Sequence, residues 1–480
     1  MNTLLNTQSF LICLVAAIAL FTRSAYASPR QEPQSNFEAI DDYIKTEMKR
    51  LGIPGMALGI VHGNDIVHLQ GYGVADSSGR AITPQTPFQI GSVTKSFTAL
   101  AVMQLAEAGK LNLDAPVQTY LPWFKLADRE ASAQITVRHL LNQTSGISEK
   151  DGNRFWNSDA NAEEAVRQMN TIQLSHPIGT KFEYCNLNFV VLGVIVEKVS
   201  GQSYDDYVTE HILTTLDMRN SYTSHTDSEA HGSSDGHYYI LGRAYRRDGA
   251  FPPAYQASGY LASSAEDMTH YIIAQLNEGK YERAFILSPQ GIAELHNPAA
   301  PMKMPGYYYA MGWAVSPFDG NNSISHSGDH GNFHSAVIMQ PERRHGIVLL
   351  ANASGFEQVL QVDGIARGVM NLLNDKEPAP VTLPFMFRFL YWSVLLTPLL
   401  QGAWIISTLI NGQPVGWQAI IAIILNLAAA IFFLFGVPGM VPFPLSSLRV
   451  FYPELGYALI SGGTLGFGWS IIYALLNLKK

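Results

Sequence analysis

Apolar residues recur along this chain in distinct rhythms, and each rhythm predicts a different kind of element. After an extended Phe88-Gln89-Ile90 and a glycine, Phe97, Leu100, Ala101 and Leu105 follow at helical period, which predicts a helix entered sharply at Ser92. The stretch Leu187–Val196 is apolar almost throughout, as a buried helix is, and follows a turn and short extended segment over Pro177–Glu183. In Ser323–His334, Ile324 sits among polar neighbours, and Gly328 and Gly331 interrupt the run. That pattern suits a strand leading into a turn.

The C-terminal part changes character. From residue 383 onward only Arg388, Arg449, Glu454, Lys479 and Lys480 carry charge, and residues 389–448 carry none. Three segments, Leu390–Ile410, Trp417–Phe435 and Leu455–Leu476, are long and apolar enough to cross a bilayer, so a three-helix transmembrane region is expected over 385–478. Trp392, Trp417, Tyr452 and Tyr457 fall near the expected ends, as interfacial aromatics do. Gly462 and Gly466, four apart in the third segment, allow close approach of another helix and with it self-association.

At the other end, the apolar run Phe10–Phe21 and the small residues of Ala25-Tyr26-Ala27 predict a secretory signal over 1–27, although no Lys or Arg precedes the run. An uncleaved anchor is the alternative. Export followed by three crossings would put Lys479 and Lys480 in the cytoplasm and the domain between the two apolar ends outside, in keeping with the positive-inside tendency. Between the two apolar ends, 28–380 is expected to form the main folded domain, closed by the linker Asp375–Pro380.

The middle of the chain carries the chemistry. Of thirteen lysines, only Lys95 has a serine three residues before it, and a helix starting at Ser92 would bring the Lys95 amine one turn along the same face. A serine at a helix start also directs its own backbone N–H toward a developing oxyanion. Tyr184 and Asn186, two apart in an extended segment, would point the same way into a cleft. A tyrosine there can handle the serine proton, and an asparagine can hold a substrate carbonyl. The plain structural alternatives are a surface helix start and a packed aromatic beside a turn-forming Asn. His326, His330 and His334 fall four apart, which on a helix would suggest a metal face. On a strand they are too far apart along it to hold one ion, and no metal is expected.

Taken in order, Ser92-Val93-Thr94-Lys95, Tyr184-Cys185-Asn186 and His326-Ser327-Gly328 resemble the motifs of the serine β-lactamase and penicillin-binding protein superfamily. The resemblance is to the class C-like branch, which also holds D-stereospecific peptidases and esterases. It extends over about residues 36–375, through Ile53–Ala57, Ile135–Gly146 and Ser258–Met268. It implies a mixed α/β fold, an antiparallel sheet flanked by helices with a mostly helical subdomain inserted. It also implies that Ser92 is acylated while Lys95 and Tyr184 share its proton. Asn186, His326 and Gly328 would meet the substrate, and the backbone N–H groups of Ser92 and Asp329 would form the oxyanion hole. Two departures stand out. Cys185 takes a position that is usually serine or alanine, and His326 takes one that is lysine in many lactamases. A neutral imidazole is a poorer partner for a β-lactam carboxylate than a fixed ammonium, so a peptidase or esterase is expected over an efficient lactamase.

Composition narrows the partners. The net charge of −8 comes with no basic cluster, which argues against nucleic acid. Of two cysteines, Cys13 lies in the expected leader, leaving Cys185 without a partner for a disulfide. The expected partners are a small peptide, amide or ester and membrane lipid, with no cofactor required. A penicillin-binding sensor, or a scaffold with little turnover, is the other functional class the motifs allow.

Overall fold

A computed structural model describes residues 36–156, 158–249, 251–378, 381–411, 417–440 and 445–477. The expected signal segment and Lys479–Lys480 lie outside the described residues.

Eight antiparallel strands form the central sheet. They are β1 (Gly55–His62), β2 (Asp65–Gly73), β3 (Ala300–Pro301), β4 (Tyr308–Tyr309), β5 (Ala314–Phe318), β6 (Asn321–Asp329), β7 (His334–Gln340) and β8 (His345–Ala351). Their spatial order is β2-β1-β8-β7-β6-β5-β4-β3, so strands from opposite ends of the domain pair at β1 and β8, with Met56 opposite Ala351 and Ile60 opposite Ile347.

Both faces of this sheet are covered, and the period-two alternation shows how. Met56, Leu58 and Ile60 of β1, Ile338 of β7, and Ile347 and Leu349 of β8 point to one core, with Ile40, Ile44, Ile365 and Val369. Their neighbours Ala57, Val61, Val337, Met339, Val348 and Leu350 point to the other. Helix α1 (Asn36–Leu51) lies on the first face. Helices α2 (Thr94–Glu107) and α3 (Asn186–Ser200) pack together in the helical subdomain, and α4 (Ala265–Leu276) covers the second face against β1 and β8. Helix α5 (Phe356–Leu373) joins α1 on the first face. α3 is the buried helix expected over Leu187–Val196, and all ten of those residues are buried.

The C-terminal region is helical: α6 (Phe385–Asn411), α7 (Trp417–Ile431), α8 (Leu445–Phe451) and α9 (Pro453–Asn477). The expectation of three spans is corrected here. Among the described residues, two helices, Phe385–Ile410 and Pro453–Leu475, are long and apolar enough to cross a membrane, whereas the middle one, Ile420–Gly436, is shorter. Its helical repeat widens to a π-turn over Phe432–Gly436, and one more helical turn, Val437–Met440, follows directly. An even number of crossings would return the chain to the side it started from, so the topology inferred from three does not follow. Phe385, Leu399, Leu400, Ile410, Leu425, Phe435 and Leu475 leave large apolar side chains exposed on these helices. The small-residue face of α9 is covered within the chain: Phe433 and Pro398 lie against Gly462, and Asn426 and Ala430 against Gly466.

Candidate active site

The nucleophile segment is held from two directions. Phe88–Gln89 pairs antiparallel with Ala262–Ser263, and the Ile90 N–H donates to the Leu261 carbonyl. Gly91 then turns with φ +52°, a conformation that favours glycine. Ser92 does not open the α-helix, as the apolar period suggested. It sits in a single 3₁₀ turn, Gly91–Val93, immediately ahead of α2. The tighter turn still delivers Lys95 to the serine, with Nζ 2.9 Å from Oγ.

Tyr184 arrives from the segment before α3, and its hydroxyl donates to Ser92 Oγ at 2.7 Å. Lys95 Nζ also donates to the Ser258 carbonyl at 2.6 Å and lies 4.9 Å from the centre of the Tyr184 ring. Lys95 is fully buried, and its partners are a hydroxyl and a carbonyl. Stripping water from an ammonium costs several kcal/mol, and hydrogen bonds from a charged group return about 1.5–3 kcal/mol each, so the neutral amine is favoured. Burial accordingly holds the Lys95 amine well below its usual range, opposed by the Cys185 thiol. Burial moves Tyr184 the other way, above the usual phenol range, against the opposing bond to Ser92. The pair is thus split into a neutral amine that accepts a proton and a protonated phenol that donates one.

Asn186 departs from the extended geometry expected of it, because it is the first residue of α3. Its Nδ2 donates to Asn153 Oδ1 at 2.8 Å, and its own Oδ1 is buried without a protein partner among the described residues. The turn that sets Tyr184 and Asn186 apart is fixed by Gln143, whose Oε1 accepts from the Cys185 N–H at 3.0 Å and from Asn188 Nδ2 at 2.6 Å. Cys185 points away into the core, where burial pushes its thiol up to about 12.

Strand β6 closes the site. Its residue Gly328 passes so near the nucleophile turn that a Cβ there would lie 1.9 Å from the Ile90 carbonyl oxygen. What this glycine admits is the protein's own backbone. Likewise a Cβ on Gly91 would lie 2.7 Å from the Asp329 nitrogen, which places the Asp329 amide beside the Ser92 turn. His326 is buried two residues earlier. Its Nδ1 meets the Ser327 carbonyl at 2.7 Å and its Nε2 the Tyr309 hydroxyl at 3.3 Å. Burial, reinforced by the neighbouring Lys95, lowers His326 to about 4, so the ring is neutral near physiological pH.

The three histidines spaced by four fall across the β6–β7 hairpin, and each has its own partner. His330 Nδ1 lies 3.2 Å from Asn332 Oδ1, and His334 Nε2 lies 2.9 Å from Asp363. Among the described residues, no group of three side chains is arranged to hold a metal ion.

Several residues of this site carried no signal in the sequence. Ser258 acts through a backbone carbonyl, which any residue supplies. Asn153 and Gln143 act on Asn186 and its turn, and only the fold brings them there. Glu149, near Tyr184, is pushed up to about 7 by burial, with Lys303 opposing and Glu183 adding. Gln143 and Ser258 do lie inside the stretches Ile135–Gly146 and Ser258–Met268 that resemble the superfamily.

A neutral His326 has a measurable consequence. From about pH 6 to 8 it should not change charge, so KM for an anionic ester and for a neutral ester should follow parallel pH profiles. Affinity for the anionic ester that falls selectively across this range would contradict the neutral assignment.

A serine flanked by a buried lysine and a tyrosine, between an antiparallel sheet and a helical subdomain, defines an active-site-serine fold of the penicillin-recognising type. Residues 40–369 match the family described as Beta-lactamase, and the chain belongs to that family. Protein flp of Staphylococcus aureus (strain MW2) is 30% identical over 391 residues, covering 77% of this chain and 74% of that protein. Penicillin-binding protein 4 of Amycolatopsis lactamdurans is 28% identical over 319 residues, covering 65% of this chain and 83% of its own. Among solved structures, the octameric penicillin-binding protein homologue from Pyrococcus abyssi superposes with TM-score 0.64 at 29% identity, over 75% of this chain and 82% of that one. EstCE1, described as a hydrolase with promiscuous acyltransferase activity, shares the fold with TM-score 0.61 at 21% identity, over 70% of this chain and 98% of its own.

Proposed function

We propose that this protein is a class C-like serine hydrolase that cleaves a peptide, amide or ester through an acyl-enzyme on Ser92. The observation that carries the proposal is the convergence of Lys95 Nζ and Tyr184 Oη on Ser92 Oγ, at 2.9 and 2.7 Å. The neutral Lys95 amine takes the Ser92 proton as Oγ bonds to the substrate carbonyl carbon. The backbone N–H groups of Ser92 and Asp329 hold the resulting oxyanion. As the carbonyl re-forms, the bond to the leaving nitrogen or oxygen breaks, and Tyr184 hands over a proton that Lys95 replaces. Water then attacks the ester, losing its proton to the same pair, and Ser92 regains its own as it departs.

Asn186 Oδ1 is free to accept from a substrate N–H, and the neutral His326 provides a hydrogen-bonding wall without a fixed charge. These features favour peptidase or esterase activity over efficient β-lactam hydrolysis. Full-length protein in detergent should be labelled at Ser92 by a fluorophosphonate and should turn over a short-chain ester or a D-Ala-D-Ala peptide faster than nitrocefin. Labelling without turnover of any of these would favour a penicillin-binding sensor instead, and no labelling at all would refute the acyl-enzyme.

The exposed apolar helices support a membrane location, and the export signal read in the sequence would place the catalytic domain on the extracytoplasmic side. The full-length chain should therefore stay in the membrane pellet after carbonate washing. Recovery in the soluble fraction would refute the anchor.

A further inference from the structure

The C-terminal helices touch the catalytic domain at the rim of the Ser92 cleft, through side chains that their apolar character does not explain. Ser447 of α8 accepts a hydrogen bond from Asn153 Nδ2 at 2.9 Å. Asn153 in turn accepts from Asn186 Nδ2 at 2.8 Å, so two consecutive bonds link α8 to Asn186. Phe451 packs edge-on against Trp156 with ring centres 4.8 Å apart, and Trp156 lies beside Tyr260. The Phe451 carbonyl also approaches Gly331. Tyr452, which is buried, hydrogen-bonds through its hydroxyl to the Asp329 carboxylate.

The last contact falls on the residue whose amide faces the nucleophile turn. The Asp329 carboxylate also accepts from Ser354 Oγ at 2.6 Å and from the Gly331 N–H at 3.0 Å. Three donors from three separate segments hold one short side chain, and a short side chain held in this way holds its own backbone. An oxyanion hole depends on the direction of its N–H groups, which must already be set when charge develops. Asn186 has the same need, since its free Oδ1 is oriented only by what binds its Nδ2.

We propose that the segment Ser447–Tyr452 is a working part of the active site. Tyr452 is a positioning residue for the Asp329 amide, and Ser447, through Asn153, is one for Asn186. The proposal rests on the serine hydrolase reading above. It gives the C-terminal helices a role beyond anchoring, because the catalytic domain alone would lack one donor to Asp329 and the far end of the Asn186 chain.

The test uses full-length protein in detergent, with rates expressed per active site titrated by fluorophosphonate. Tyr452→Phe keeps the buried ring and removes only the donor. It should lower kcat on the order of tenfold with KM little changed, well short of the roughly 10²-fold that outright loss of a hole donor costs. Ser447→Ala should raise KM for an amide substrate about threefold with kcat little changed, and Ser447→Thr, which keeps the hydroxyl, should restore it. If both variants match an active wild type in kcat and KM, the proposal is overturned. A fall confined to the number of titratable sites marks a merely structural contact and overturns it equally. A wild type that neither labels nor turns over would instead remove the hydrolase reading, and this proposal with it.

Discussion

Ser92→Ala should abolish fluorophosphonate labelling and reduce turnover on the order of 10⁴-fold or more, because no other group occupies the position of attack. The fold should survive. Ser92 lies in a partly exposed turn whose backbone is held by Gly91 and by pairing of the preceding strand to Ala262–Ser263, neither of which needs the hydroxyl. Lys95 loses one partner in the variant but keeps the Ser258 carbonyl. Intact-mass analysis after probe treatment and a thermal melt check the two halves of the expectation. Labelling of the variant at the wild-type rate would mean that the nucleophile lies elsewhere.

Lys95→Ala and Tyr184→Phe should each lower kcat by about 10²-fold or more while KM changes little, since proton transfer is needed in the transition state and contributes little to holding substrate. The two should differ in pH dependence. With its amine held far below the usual lysine range by burial, Lys95 is neutral at the working pH and becomes protonated as pH falls through its lowered value. Wild-type kcat/KM should therefore drop on the acid side, and the residual activity of Lys95→Ala should lack that limb. Tyr184→Phe should keep it, because burial leaves the tyrosine protonated across the whole range. They should also differ in stability: removing the buried lysine stem leaves a cavity, whereas phenylalanine refills the tyrosine site. Effects confined to KM would assign both residues to substrate binding.

How much of this was legible depended on how local the geometry is. A serine and a lysine three residues apart meet wherever the chain turns helically between them, so their pairing survived even though the turn at Ser92 is 3₁₀ and the α-helix begins at Thr94. The strand-then-turn pattern of Ser323–His334 and the buried run of α3 are likewise local statements about how the chain is arranged. Asn186 was misplaced because apolar period marks a helix body better than its first turn, and the residue sits at that boundary. The third membrane span was overcounted for a related reason. Composition sees a long apolar run, but the apolar helix formed there spans only Ile420–Gly436 among the described residues.

What the sequence by itself determined is the set of chemical groups, their order, the buried helix over Leu187–Val196 and the apolar C-terminal region. Only the tertiary structure decided how those groups behave. The charge state of Lys95 follows from burial by residues distant in sequence, and the neutrality of His326 follows above all from burial as well. The meeting of Asp329 with the Ser92 turn needs β6 to run against Ile90, and Gly91 and Gly328 permit that approach without announcing it. The contacts of Ser447 and Tyr452 join helices to a cleft formed by much earlier segments. Water removal and mutual orientation depend on every surface that closes around a site, and those surfaces exist only once the whole chain has folded.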